Sequence, residues 1–421
     1  MIRKNLIAVA VVVLFGTTYA SPASYKALYN FSNTNANPSS GLVVDADGNA
    51  YGTTFNGGGL NQSGTIYELS PTTGYHLLYR FSPDGSFGKN PQGNLVFDSS
   101  GNLYGTTVYG GSNKSACHNQ GCGVIFKLSP SSNNGLWVET VLYSFCSQSQ
   151  CSDGANPQAG VVFDSQGNLY GTTKAGGNQG CQEAGPGCGT VFELSQNSSD
   201  SWGETVLYDF SNPGDGELPM SGVIWDATGN LYSTTSAGGG GNGGTVFELS
   251  PVGSLWDETI LYDFDGGSAD GALVLAGVCF DTLGNLYGTT AQGGMFGLGT
   301  VYQLTAGSSG GWIEAVLHSF GAGNDGAEPE SSLVLDSLGN IYGTTFAGGQ
   351  VGCDGRGCGT VFRLNFTDGG QWVESQFRFP NSGSAGSQPN SQLALDTNGD
   401  VVGTTTKGGR YLDGVMFRII Q

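Results

Sequence analysis

The chain has 421 residues, 74 of them glycine, and sets 34 acidic against 14 basic side chains for a formal charge of −20. That balance excludes nucleic acids and anionic membrane surfaces as partners, since both need a basic footprint. The glycines fall at fixed places between apolar strands, so the low-complexity reading that such a content invites does not apply.

The amino terminus reads as an address. Arg3 and Lys4 precede an apolar run from Leu6 to Phe15, and Thr18-Tyr19-Ala20 offers small residues where a signal peptidase inspects them. Residues 1–20 are therefore expected to be a signal peptide cleaved after Ala20, with an uncleaved anchor as the rival reading. The run is short for a membrane span, no Cys follows it to take a lipid, and the chain ends in Gly414 to Gln421 without a hydrophobic tail. The expected product is secreted, extracellular or at the cell surface, monomeric, and not inserted in a membrane.

From residue 21 onward a repeat dominates. A short apolar strand ending in Asp leads through a tight turn into Tyr-Gly-Thr-Thr, as in Val96-Phe97-Asp98-Ser99-Ser100-Gly101-Asn102-Leu103-Tyr104-Gly105-Thr106-Thr107. The Tyr recurs at 51, 104, 170, 232, 287 and 342, with Val402 as a degenerate seventh copy. Intervals of 53 to 66 residues point to propellers or solenoids. In the third copy four strands are predicted, over 159–164, 168–173, 189–195 and 204–210, each rich in β-branched and aromatic residues and bounded by turn formers. No stretch of 21–421 keeps a helical period.

Phase decides between the two architectures. The repeats open with Tyr25 to Phe31, a fourth-type strand with nothing of its own before it, and close with Gly414 to Ile420, a third-type strand with no fourth after it. A solenoid ends in atypical caps, whereas a ring closes by lending its first strand to its last repeat. The expectation is an all-β, seven-bladed β-propeller with four antiparallel strands per blade, formed by residues 21–421 as a single domain and closed by the amino-terminal strand in the last blade.

The units Gly-Leu-Val-Val-Asp, Gly-Asn-Leu-Tyr-Gly-Thr-Thr, Gly-Thr-Val-Phe-Glu-Leu-Ser-Pro and Val-Leu-Tyr-Asp-Phe resemble the GloVer (Gloeo-Verruco) tandem-repeat proteins of bacteria. The resemblance covers nearly all of residues 21–421 and implies an exported or surface-attached protein. It brings no catalytic residues to carry across, and this sequence lacks the carboxy-terminal sorting anchor often found with the repeat.

Eight of nine cysteines form close pairs, Cys117 with Cys122, Cys146 with Cys151, Cys181 with Cys188, and Cys353 with Cys358. In an exported chain these read as local disulfides. Zinc is disfavoured, because four or six residues separate the partners and only His118 lies nearby. Cys279 is left over as a small hydrophobe. No metal site and no cofactor are expected.

Two recurring features invite chemistry. Asp-Gly follows the fourth strand at Asp84, Asp153, Asp215, Asp270 and Asp325, and could hold cations or sugar hydroxyls. One Asp per site falls short of the oxygens calcium needs, so turn chemistry is the expected role. Trp-x-Glu opens the fourth strand at Trp137, Trp202, Trp256, Trp312 and Trp372; sugar stacking is one reading, structural packing the expected one. His76 and His318 fall in fourth-type strands and are expected to pack. The sequence has no Gly-x-Ser-x-Gly elbow, phosphate loop or zinc-type His pair, so no catalytic residues are assigned.

Function is expected on the loops between second and third strands, the most variable segments of the repeat. Residues there that break the pattern are the ligand-binding candidates: His118, Phe296, Asp354, Arg356, Arg410 and Tyr411. The expected activity is reversible binding of a neutral glycan or a protein. The alternative is a secreted polysaccharide hydrolase or lyase whose carboxylates converge from different blades.

Overall fold

The computed structural model describes residues 24–32, 35–59, 62–131, 137–177, 187–198, 201–212, 214–308, 310–321 and 324–420. Seven four-stranded antiparallel sheets follow one another along the chain as the blades of a propeller. Blade 3 shows the plan, with strands Val162–Phe163, Leu169–Thr173, Thr190–Gln196 and Trp202–Asp209. Its first strand is shorter than the predicted 159–164, because the residues before Val162 leave the sheet to line the central axis. Ring closure is as the phase requires. Ser24–Asn30 is the outer strand of blade 7 and pairs with Val415–Ile420, from Ser24 opposite Ile420 to Asn30 opposite Val415.

Each residue of the repeat signature has a mechanical task. The Asp closing the first strand accepts the backbone N–H groups two and four residues on, then the Asn side chain and the Tyr hydroxyl. For Asp98 these are Ser100 at 2.9 Å, Asn102 at 2.9 Å, the Asn102 amide at 2.6 Å and Tyr104 at 3.1 Å. The Gly of Tyr-Gly-Thr-Thr leaves room for an aromatic of the third strand; a Cβ on Gly105 would lie 2.8 Å from Phe126 Cζ. The first Thr crosses to the next blade, as Thr106 does in donating to the Ala159 carbonyl at 2.7 Å. The second Thr ties its blade together, Thr173 Oγ1 lying 2.8 Å from Thr190 Oγ1.

A backbone staple joins neighbouring blades at the residue before the Pro that recurs in six of the seven connections, Val274 standing in the remaining one. Asn156 donates its N–H to the Cys122 carbonyl of blade 2 and accepts from Lys174 of blade 3. Reaching both ways needs a left-handed backbone, found at Asn37, Asn90, Asn156, Leu218, Leu273, Glu328 and Gln388 with φ between 55° and 59°. Asn tolerates that region better than Leu does.

The core lies between blades. At the junction of blades 2 and 3, Tyr104 packs with Phe163, Leu169 and Trp202. The same positions bring Tyr51, Phe97, Leu103 and Trp137 together at the previous junction, Tyr170, Trp225, Leu231 and Trp256 at the next, and Tyr232, Phe280, Leu286 and Trp312 after that. The recurring Trp thus fills the space between blades and is not an exposed stacking platform. Cys117–Cys122, Cys146–Cys151 and Cys353–Cys358 are bonded. Cys188 is also disulfide-bonded, while Cys181 lies outside the described residues. Cys279 is a half-buried free thiol that faces the Tyr287 carbonyl at 3.8 Å.

Candidate functional site

Two sets of loops share one face. The connection leading into each blade pairs with the loop between that blade's second and third strands: Ala155 bridges Ala175, Glu217 bridges Ala237, and Gly271–Ala272 pairs with Gln292–Gly293. The variable, disulfide-stapled loops therefore surround the mouth of the central axis.

Of the candidate residues, Phe296, Arg356, Arg410 and Tyr411 lie on three consecutive blades, 5 to 7. Here the loops expose large apolar side chains, Met295, Phe296, Val351, Tyr411 and Leu412, all more than half accessible. Several are held in place. The Phe296 ring lies over the Gly321 backbone, where a Cβ would meet it at 2.7 Å. Arg410 sits over the Tyr411 ring at 5.4 Å. Arg356 lies over Phe346 at 5.8 Å and donates to Glu328 at 2.6 Å. His118 stands apart on blade 2, exposed and left-handed at φ 60°. Asp354 falls in the short turn Cys353–Gly355. Among the described residues no hydrogen bond, ion pair or ring contact links candidates of different blades.

A cavity of ≈ 250 Å³ on the axis is lined by residues from all seven connections into the blades. In six of the seven connections the residue after the Pro-like position lines it, giving Ser39, Gln92, Gln158, Met220, Leu275 and Glu330; two residues on from such positions stand Asn94, Ser332 and Gln392. The wall is largely neutral and amide-rich. Asn94 donates across it to Gln392 Oε1 at 2.7 Å and accepts from the Gly41 N–H at 2.6 Å. Glu330 is the one carboxyl in the lining, and burial, then the neighbouring Glu328 charge, pushes it up to about 7. The sequence reading passed Glu330 over; aligning the copies at their Pro would have shown it.

The Asp-Gly and Trp-x-Glu features, read separately in the sequence, meet at the blade junctions. Tyr143 of blade 2 donates to Asp153 at 2.7 Å, and both face Glu204 of blade 3. Tyr208 donates to Asp215 at 3.0 Å and lies 3.4 Å from Glu258; Tyr262 donates to Asp270 at 3.4 Å, facing Glu314. Burial, then the adjacent aspartate, pushes Glu204 up to about 8 and Glu258 and Glu314 to about 7. Burial pushes Glu139 to about 8 beside Tyr79. Asp84 departs from the set: it is exposed and caps Ser86. Where the Asp is lost the Glu is lost with it. Tyr25 then stacks on Phe377 at 5.1 Å, and Tyr29 on Tyr75 at 4.2 Å.

Between blades 5 and 6 a His replaces the Tyr. His318 Nε2 lies 3.3 Å from Asp325 and 3.9 Å from Glu374, and the three offer donor atoms within 4.8 Å of one another. Burial alone would lower the imidazole, but the Asp325 hydrogen bond and the two carboxylates outweigh it and raise its pKa. His318 is thus packed as expected, whereas His76 is exposed and its ring meets Thr73 Oγ1 at 2.8 Å. An oxygen of each of the five junction glutamates, and both in Glu139 and Glu204, is closed off from solvent. Their raised pKa values couple these carboxyls to the pH dependence of stability.

A family model described as the Gloeobacter/Verrucomicrobia repeat matches residues 12–224, 114–279 and 225–421. No curated protein matches the chain.

Proposed function

The chain belongs to the Gloeobacter/Verrucomicrobia repeat family, which here builds a closed propeller, and from that premise we propose an exported interaction module that holds a protein partner reversibly on the loops of blades 5 to 7. The observation that carries this reading is the run of exposed Met295, Phe296, Val351, Tyr411 and Leu412 beside Arg356 and Arg410 on adjacent blades. Aromatic residues, Met and Arg are the types enriched where protein interfaces are built. Export is supported by residues 1–20 and by disulfides, which persist in oxidising compartments.

The channel favours a second reading. Its neutral amides suit the hydroxyls of a glycan, and Glu330, whose carboxyl burial raises to about 7, is the group a polysaccharide hydrolase or lyase would use as an acid. Affinity capture from native culture medium separates the readings. Phe296→Ala with Tyr411→Ala should lose a partner that Leu283→Ala with Leu338→Ala, exposed turns away from these loops, retains. A partner kept by both pairs contradicts the assignment. Release of reducing ends or unsaturated sugars from a polysaccharide panel, lost in Glu330→Gln, would establish the enzyme instead.

A further inference from the structure

The seam where the ring closes differs from the other junctions in what it lacks. At the positions filled elsewhere by Tyr104, Phe163, Leu169 and Trp202, the junction of blades 7 and 1 carries Val402, Val44, Ala50 and Thr73. Four large side chains are replaced by small ones in a single place. The described residues leave there a cavity of ≈ 560 Å³, lined by these four together with Leu28 and Met416 and opening beside the turns Gly48 and Pro71 to Gly74. Its volume is that of a small-molecule pocket. It lies at the turn end of the blades, away from the loop face and the axial channel.

We propose that this seam binds a small aromatic acid of one or two rings. The inner wall is aliphatic, from Leu28, Val44, Ala50, Val402 and Met416, with polar groups on the remaining sides, and the space is the one that aromatic side chains fill between other blades, so a flat ring is the shape it takes. Charge selects the substituent. Arg418 is committed to Asp396 at 3.0 Å and to Asp400 at 2.7 Å. Lys26, exposed at the rim, is the only charged lining group with no ion pair or hydrogen bond among the described residues. It is placed to meet a carboxylate. A sugar fits poorly, since no aromatic platform lines the cavity. This site is independent of the partner face proposed above.

Titration calorimetry and thermal shift on the purified protein with indole-3-acetate, and with indole as the uncharged comparison, test the assignment. Saturable binding of indole-3-acetate is expected, at least about tenfold tighter than indole, with the difference lost in Lys26→Ala. Thr73→Trp, or Val402→Tyr where the first does not fold, should restore the missing ring and abolish binding of both probes without lowering the melting temperature. Absence of binding at millimolar probe, or binding unchanged in the refilled variants, overturns the proposal.

Discussion

Replacing Glu204 with glutamine should flatten part of the pH dependence of stability. Burial and the facing Asp153 push the Glu204 carboxyl from the usual 4.5 up to about 8, so the folded protein holds that proton more tightly than the unfolded chain. Such a group contributes fully below about 4.5, and its contribution is lost as pH rises through about 8. At ~1.4 kcal/mol per pKa unit the whole shift sets an upper bound of about 5 kcal/mol. Solvent at the outer rim screens the interaction, leaving on the order of 1–2 kcal/mol. Glu204→Gln keeps the shape of the protonated acid and cannot ionise. Urea unfolding should therefore place the variant within ~0.5 kcal/mol of the parent at pH 5 and ~1–2 kcal/mol above it at pH 9. The four other junction glutamates act in the same direction. The turn aspartates act oppositely. Burial would raise Asp45, Asp98, Asp226, Asp281 and Asp336, but hydrogen bonds from the turn outweigh it and lower them. Their stabilisation is present above the usual 3.8 and lost as pH falls further. The protein should be most stable in mild acid, near pH 4–5. A variant that loses stability in parallel with the parent from pH 5 to pH 9 would refute the reasoning.

Deleting residues 24–30 should leave the outer edge of Val415–Ile420 unpaired, its inner edge still bonded to Val401–Thr405, and the blade incomplete, seen as oligomers in light scattering; a monodisperse, fully folded product would count against closure by this strand. Non-reducing peptide mapping should recover the three described disulfides and Cys181–Cys188, with Cys279 the sole free thiol, each short loop adding perhaps no more than ~2 kcal/mol. Long-range pairing would contradict the local assignment. Leu273→Asn should raise stability by ~0.5–1 kcal/mol, because Asn accepts the left-handed backbone that the staple imposes. A loss in chemical denaturation would show that packing of the Leu outweighs the strain.

The fold was legible because its repeat is a mechanical unit. Asp98, Tyr104, Gly105, Thr106 and Thr107 each satisfy a requirement that every blade shares, so periodicity exposes them, and the unmatched strands at 24–30 and 415–420 reveal how the ring closes. Contacts between blades were not legible. Asp153 and Glu204 lie 51 residues apart in the sequence and looked like separate turn and packing features; only the juxtaposition of neighbouring sheets makes them one buried acid group. The concerted change of Asp and Glu to Asn35, Ala385, Tyr75 and Tyr25 was the available signal. The candidate residues of copies 5 to 7 were placed on consecutive blades by the repeat itself, whereas the exposure of Phe296 and Tyr411 beside Met295 and Leu412 depends on loop conformation, which strand periodicity does not determine.

The loop face of blades 5 to 7 as the working surface is tested most directly by hydroxyl-radical footprinting of the protein with and without its captured partner. Met295, Phe296 and Tyr411 are accessible and readily oxidised. The expected result is strong protection at these three, with unchanged oxidation at Leu283 and Leu338. Protection confined to the Leu283 and Leu338 turns, with Phe296 and Tyr411 oxidised as before, would contradict the assignment of this face.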